Sequence, residues 1–535
     1  MQANTGNLGP LDWVIIFSYL VGLIGLSAWL SRGQHSGKDY YLGGNSSGPW
    51  AIALSTMATQ CSTNSLLGVP AFVAFNGGLL WLQYELGVPF AMVGLMLFLM
   101  PALRRLNLIS VYQYVEDRFD LSARLLLSAL FLFVRAFGTG VTIYGVGLII
   151  ARVLQVDYLA AVLILMAVTI VYDFLGGMKA VIWSDVIQII LIFVSVLVAV
   201  VVAIHACGGW DGMMSAFPPE RQQAIDFKGT GLGDGQTFAF WPMLLGGFFL
   251  YMSYYGCDQT QAQRSLSTRS ADETNQALFL GGILRFPLVC TYSLLGVAIG
   301  AFAALHPEFM EQLKLNPDKP GEPDLNLAVP VFMLHQFPTG MIGLLMVGIL
   351  GAAMSSLDST LNSMSAVTMQ DYVHRLRKHP LSDRQELWLS KGTTVFWGLL
   401  CLAFSFLVGG IADTVVESVN MIGSVLYGPL LALFMMGLLT RFIGARAAIA
   451  GLLTGMLCNG LMWKFAPGIS WLWWNVFGFL IAWGVGVIVA LFDRQPPKEY
   501  TRQQRTKFQK DSLTRRRVLI LCAYGLVICV GLSLI

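Results

Sequence analysis

The stretch Gly351-Ala352-Ala353-Met354-Ser355-Ser356-Leu357-Asp358-Ser359-Thr360-Leu361-Asn362-Ser363 places hydroxyls and a carboxylate inside an otherwise apolar run. Wound as a helix, Ala352, Ser355, Ser356 and Ser359 fall at i, i+3, i+4 and i+7, and Ser355, Asp358, Ser359 and Asn362 repeat that spacing slightly rotated. One face then offers a row of oxygens, the ligand type that a hard cation takes. Small hydroxyl residues also let membrane helices approach closely, which accounts for the serines without any ion. It does not account for Asp358, because a carboxylate at bilayer depth is costly and marks a functional site by default.

A second apolar run is interrupted by Thr59-Gln60-Cys61-Ser62-Thr63-Asn64-Ser65 and then Pro70. A polar run of this length is tolerated at depth only where backbone is buried in protein or lines a cavity, so a discontinuous helix is expected rather than a proline kink alone. Its unwound carbonyls suit sodium, and its half-helix ends suit a solute. Five apolar runs later, Tyr254-Tyr255-Gly256-Cys257-Asp258-Gln259-Thr260-Gln261 repeats the interruption, the pattern of two repeats with a site between them. Asp185 stands just inside the run that follows Gly176-Gly177-Met178-Lys179, either as a helix N-terminal carboxylate or as a partner of Asp358 at a shared cation site. Arg135 and Arg285 lie in mid-run; each is a structural partner for Asp185, Asp358 or Glu85, or a fork for an anionic substrate.

The elements that must position these residues are membrane helices. The chain has 535 residues, 56% of them hydrophobic and 12% charged, against about one quarter charged in soluble proteins. We read about fourteen apolar runs long enough to cross a bilayer, from Leu11 to Leu30 through Val518 to Ile535. The run from Leu327 to Tyr372 is too long for one crossing, so its first part, near Leu327 to Phe337, is expected as a short separate helix outside the membrane, with Pro338, Thr339 and Gly340 at the break. The stretch Met1 to Gly9 shows neither a basic n-region nor a small-residue cleavage site, so the first apolar run is expected to be retained as a helix.

With the N-terminus outside, the alternate loops hold the cations, among them Arg32, Lys38, Arg104, Arg105, Arg118, Lys179, Arg264, Arg269, Arg375 and the run from Arg494 to Arg517. This bias puts those loops in the cytoplasm and both termini outside, in a plasma membrane or bacterial inner membrane. The outer side holds few: Arg221, Lys228, Lys314 and Lys319 in the loops Gly208 to Thr237 and His306 to Asp324, which read as solvated connections, with Arg152 and Lys464 as single exceptions at span ends. The lipid bilayer is the one macroscopic partner implied. Nucleic acid and protein partners are not. The eight cysteines form no disulfide framework or metal spacing. Neither His205 nor His335 has a catalytic companion at useful spacing, which speaks against an enzyme.

Beyond these readings, the chain resembles the sodium/solute symporters, the family of sodium/glucose, proline, sialic acid, iodide and multivitamin transporters. The resemblance is carried by Lys38-Asp39-Tyr40-Tyr41-Leu42-Gly43-Gly44, the Gly176 to Gln188 stretch, Asp258-Gln259-Thr260-Gln261-Ala262-Gln263-Arg264, Ala352 to Ser359, and Ala366-Val367-Thr368-Met369-Gln370-Asp371. It implies a five-plus-five inverted repeat of the leucine-transporter type: an N-terminal segment over 1–49, a first repeat over 50–236, an inverted second repeat over 237–440 and flanking helices over 441–535. It implies a sodium site at Ala58 and Cys61 through carbonyls, Ala352 through its carbonyl, and Ser355 and Ser356 through hydroxyls. A second cation site is implied at Asp185, Ser355, Asp358 and Ser359. Ser or Thr is more usual where Asp358 stands, so this carboxylate strengthens that site, binds a proton, or pairs with an arginine.

The resemblance also implies solute contacts at Gln60, Ser62 and Ser65, at Gln83, at Asp258 or Gln259, and at Asn420. Sialic acid members use an arginine on the third core helix, where Arg135 stands one turn earlier. The expected function is sodium-coupled import of a small polar solute, one bearing a carboxylate such as a sugar acid or organic acid, with a neutral sugar as the alternative and one or two sodium ions. A channel needs a continuous polar stripe or charged ring, and no such feature is legible.

Overall fold

The computed structural model describes residues 8–106, 108–313, 322–407, 415–493 and 512–535, and every element among them is a helix. Ten of these helices are long and apolar enough to cross a bilayer. In chain order the elements used below are α1 (Pro10–Leu30), α2 (Pro49–Gln60), α3 (Thr63–Phe75), α4 (Gly78–Arg104), α5 (Leu121–Leu154), α6 (Tyr158–Ala206), α7 (Gly247–Gly256), α8 (Gln259–Leu266), α9 (Ala271–Leu305), α10 (Met341–Val367), α11 (Asp383–Ser405), α12 (Val415–Leu439), α13 (Ala445–Phe465), α14 (Trp471–Phe492) and α15 (Ser512–Leu532). Lys314, Lys319 and most of the basic run after Arg494 lie outside the described residues.

The outer helices show a lipid-facing surface. On α1, Leu11, Val14, Phe17 and Val21 are exposed while Asp12, Ile16, Leu23 and Ser27 are buried. The one carboxylate of that helix serves as an anchor: Asp12 Oδ1 accepts the backbone N–H of Gly340 at 2.7 Å and of Gly343 at 2.6 Å, satisfying free donors at the start of α10. A Cβ at Gly343 would stand 2.6 Å from Asp12 Cα, so glycine sets how closely α1 and α10 approach.

Buried on nearly every side, α10 is the centre of the molecule; Ala352, Ser355, Asp358, Ser359 and Asn362 have no exposure. The short helix Ala328–Gln336 precedes it, separated by a break at 337–340 in which Gly340 takes φ +93°. The α6 run bends at Gly177, φ +56° and ψ −163°, which divides it into two helical halves. A Cβ there would lie 2.7 Å from the Tyr40 carbonyl, so both the dihedral and the space require glycine.

The connection after α6 differs from the solvated loop expected. It carries a helix, Trp210–Ala216, and buries Met213, Phe217 and Ala224 against the bundle. Its tip is a tight turn in which Asp234 accepts N–H groups of Thr230, Gly231 and Gln236, and these bonds hold the carboxyl at about 2, below the usual carboxylate range.

Candidate functional site

Two helices stop in mid-molecule, as the polar runs predict. Between α2 and α3 the break falls at Cys61, ψ +55°, and at the extended Ser62. Between α7 and α8 it falls at Cys257 and Asp258, where Asp258 caps α8 by accepting Thr260 N–H at 2.9 Å.

At the first break α10 lies alongside. Ser355 Oγ donates to the carbonyl of Ala58 at 3.2 Å and lies 3.1 Å from that of Ala352. Ser356 Oγ donates to the Thr59 carbonyl at 2.9 Å. Four of the five residues expected at the first sodium site are thus drawn together, with the Thr59 carbonyl added. Cys61 stands at the break itself, its thiol against the Arg285 guanidinium. The expected ligands are carbonyl and hydroxyl oxygens with no carboxylate among them, a donor set of the kind a hard cation takes.

One layer deeper lies a buried ionic network. Arg264 Nη2 is 3.0 Å from Asp185 Oδ2, Arg264 Nε donates to Ser55 Oγ at 2.8 Å, and Ser55 Oγ donates to Asp185 Oδ2 at 2.6 Å. The same guanidinium touches Ser359 Oγ, which lies 2.9 Å from Asp358 Oδ1, while Tyr172 donates to Asp358 Oδ2 at 2.5 Å. Asp185, Ser359 and Asp358 are therefore neighbours, yet a guanidinium stands between the two carboxylates. Arg264, counted from sequence among the cytoplasmic loop cations, is fully buried; the correction follows from α8, which carries it back into the bundle.

Adjoining the break is a cavity lined by Gln60, Ser62, Ser65, Arg135, Arg285, Ser356 and Asn420, with Thr139, Thr142, Thr260 and Thr360 and a wall of Trp81, Tyr84, Tyr251, Tyr254 and Tyr427. Arg135 Nε and Nη2 both reach Asp258 Oδ2, at 2.9 and 2.6 Å, leaving Nη1 without a bond among the described residues. Arg285 has no such edge: Nε and Nη2 hold Glu85 at 2.9 and 3.2 Å, and Nη1 meets Cys61. Three expected solute contacts do not line the cavity. Gln83 spends its amide on the carbonyls of Leu80 and Phe238 and on Asp226 N–H; Gln259 spends its own on Val111 N–H and the Ile109 carbonyl; Asp258 serves Arg135. In an irregular stretch such amides replace missing backbone partners. Thr139 and Thr142 were missed, although with Arg135 they recur at i, i+4 and i+7 along α5, a polar stripe legible in the sequence.

Asp371, in the last of the matched motifs, does structural work. It pairs with Arg124 at 2.5 Å and accepts from Ser110 at 2.9 Å, and Arg124 in turn holds Glu116 at 2.6 Å.

Interrupted helices around an oxygen-lined centre define a multi-pass membrane transporter. The sodium:solute symporter family model matches residues 40–455, and the chain belongs to that family. It is 28% identical to the sodium/sialic acid symporter NanT of Aliivibrio fischeri over 92% of this chain and 94% of that protein. It is 30% identical to sodium-coupled monocarboxylate transporter 1 of Mus musculus over 84% of this chain and 73% of that one. Among solved structures, a substrate-bound, outward-open sodium-coupled sialic acid symporter superposes with a TM-score of 0.80 at 23% identity, covering 92% of this chain and 99% of that one. The protein is therefore a sodium-coupled symporter of a small solute and not an enzyme.

Proposed function

We propose that the solute bears a carboxylate and that Arg135 receives it. The observation that carries this is the free Nη1 edge of Arg135 on a cavity whose other guanidinium is fully engaged. Gln60 Oε1 and Trp81 Nε1, buried without partners among the described residues, supply further hydrogen bonds to a polar solute. The cavity measures ≈ 110 Å³, below the roughly 300–1,000 Å³ of drug-sized ligand pockets, which favours a compact acid. The names of the relatives, sialic acid and monocarboxylate transporters, agree in chemical class.

Sodium binds at Ala58, Cys61, Ala352, Ser355 and Ser356, beside that cavity, and a second cation reaches Asp185, Ser355, Asp358 and Ser359 only when Arg264 withdraws. The fold supports a reading of fourteen crossings, counting α6 twice, the interrupted pairs α2–α3 and α7–α8 once each, and α15, with a five-plus-five repeat at the centre. The cation bias of the loops supports termini on the outer side.

A competition assay tests the substrate class. Organic acids, including sialic acid and short monocarboxylates, should block sodium-driven uptake in reconstituted vesicles. Block by neutral sugars with no effect of any acid would replace the carboxylate by a neutral solute.

A further inference from the structure

Asp173 belongs to neither site. It ends the first half of α6, has no exposure, and neither carboxylate oxygen meets a hydrogen-bond donor among the described residues. The Asn362 amide is the neutral polar side chain set beside it. The other ionisable side chains around it are Tyr40 and Tyr41 from the segment before α2, Tyr172 on its own helix, and Asp358 on α10. On α11, Lys391 is engaged elsewhere, with its ammonium 3.4 Å from the Leu175 carbonyl and over the Phe174 ring. No cation pairs with Asp173 among the described residues.

Burying the charge of a carboxylate that no cation accompanies carries a desolvation cost with little to offset it. The half-buried Lys391 and the Gly177 break, one turn on, place Asp173 near one end of this half of α6. The closure over Asp173 is made of bonds that can part: Tyr40 OH donates to the Asp173 carbonyl at 3.1 Å, and Gln34 Nε2 donates to the Gly176 carbonyl.

We propose that Asp173 is a proton-binding site linked to closure of this end of the transporter. Closed, it carries a proton; opened to water, it releases that proton as an ordinary carboxylate does near neutral pH. Each closure then takes one proton from solvent, and acid favours the closed state. Sodium binding, which favours the state open on the opposite side, is strengthened by acid by up to tenfold per pH unit. This rests on the sodium-coupled cycle and not on the identity of the solute.

Sodium alone is the probe. Purified protein in weakly buffered detergent near pH 7, with a pH-indicator dye, should take up protons when sodium chloride is added, approaching one per protein, whereas choline chloride does nothing. Asp173→Asn, which resembles the neutral acid in shape, should bind sodium with no proton uptake and no pH dependence of affinity; Asp173→Thr gives the same reading if the amide lowers the yield. Infrared difference spectra of parent minus Asp173→Asn should show the C=O stretch of a neutral carboxyl at pH 7. Absence of that band, absence of proton uptake in the parent, or equal uptake in both variants overturns the proposal.

Discussion

Arg264 and Asp185 meet at 3.0 Å with both side chains fully buried, and through Ser55 and Ser359 they bind α2, α6, α8 and α10 into one unit. Removing either partner leaves a charge in the membrane core, so Arg264→Ala or Asp185→Ala should lower stability by roughly 3–5 kcal/mol. Leucine at both positions should recover much of that loss while abolishing transport. Thermal unfolding in detergent decides; a single alanine variant as stable as the parent would contradict the buried pair.

Arg135→Lys keeps a charge but loses the planar fork. Losing a charge-assisted bond of roughly 1.5–3 kcal/mol should raise the half-saturation constant for an acidic solute about tenfold or more, with folded yield retained. Arg285→Lys should act differently, through stability, because Glu85 and Cys61 engage its whole guanidinium. Concentration dependence of uptake, read beside melting temperature, separates the two.

The interruptions of both core helices were legible because seven polar residues in a row, or Gly-Cys-Asp-Gln-Thr-Gln, have no place in a lipid-facing helix. The apposition of Ser355 and Ser356 to the first break came from the family resemblance, since no local pattern says which helix faces which. Arg264 was misread because the charge rule for loops assigns cations near span ends to the cytoplasm, and it cannot see a half-helix that returns inward. Gln83 and Gln259 show the complementary limit: sequence displays polarity at depth but not whether backbone groups consume it. Asp12 was likewise invisible, since its two partners lie more than three hundred residues away.

Gly177→Ala should destabilise the bend in α6. The φ/ψ pair is open essentially to glycine alone, at a strain of about 1–3 kcal/mol, and the added methyl meets Tyr40. A lowered melting temperature is expected. An unchanged melting temperature would mean that the bend relaxes freely.

If sodium also reaches Asp358, the sodium Hill coefficient of uptake should exceed one and fall toward one in Asp358→Ala. A parent coefficient near one would leave Arg264 as the resident cation between the two carboxylates.

The most direct test of the account is sodium dependence of uptake in Ser355→Ala combined with Ser356→Ala. Both hydroxyls face carbonyls at the first helix break, at 3.2 and 2.9 Å, and their loss removes two of the oxygens offered to the ion. The account predicts a protein that folds and inserts but no longer responds to a sodium gradient; uptake with the parent's sodium dependence would contradict it.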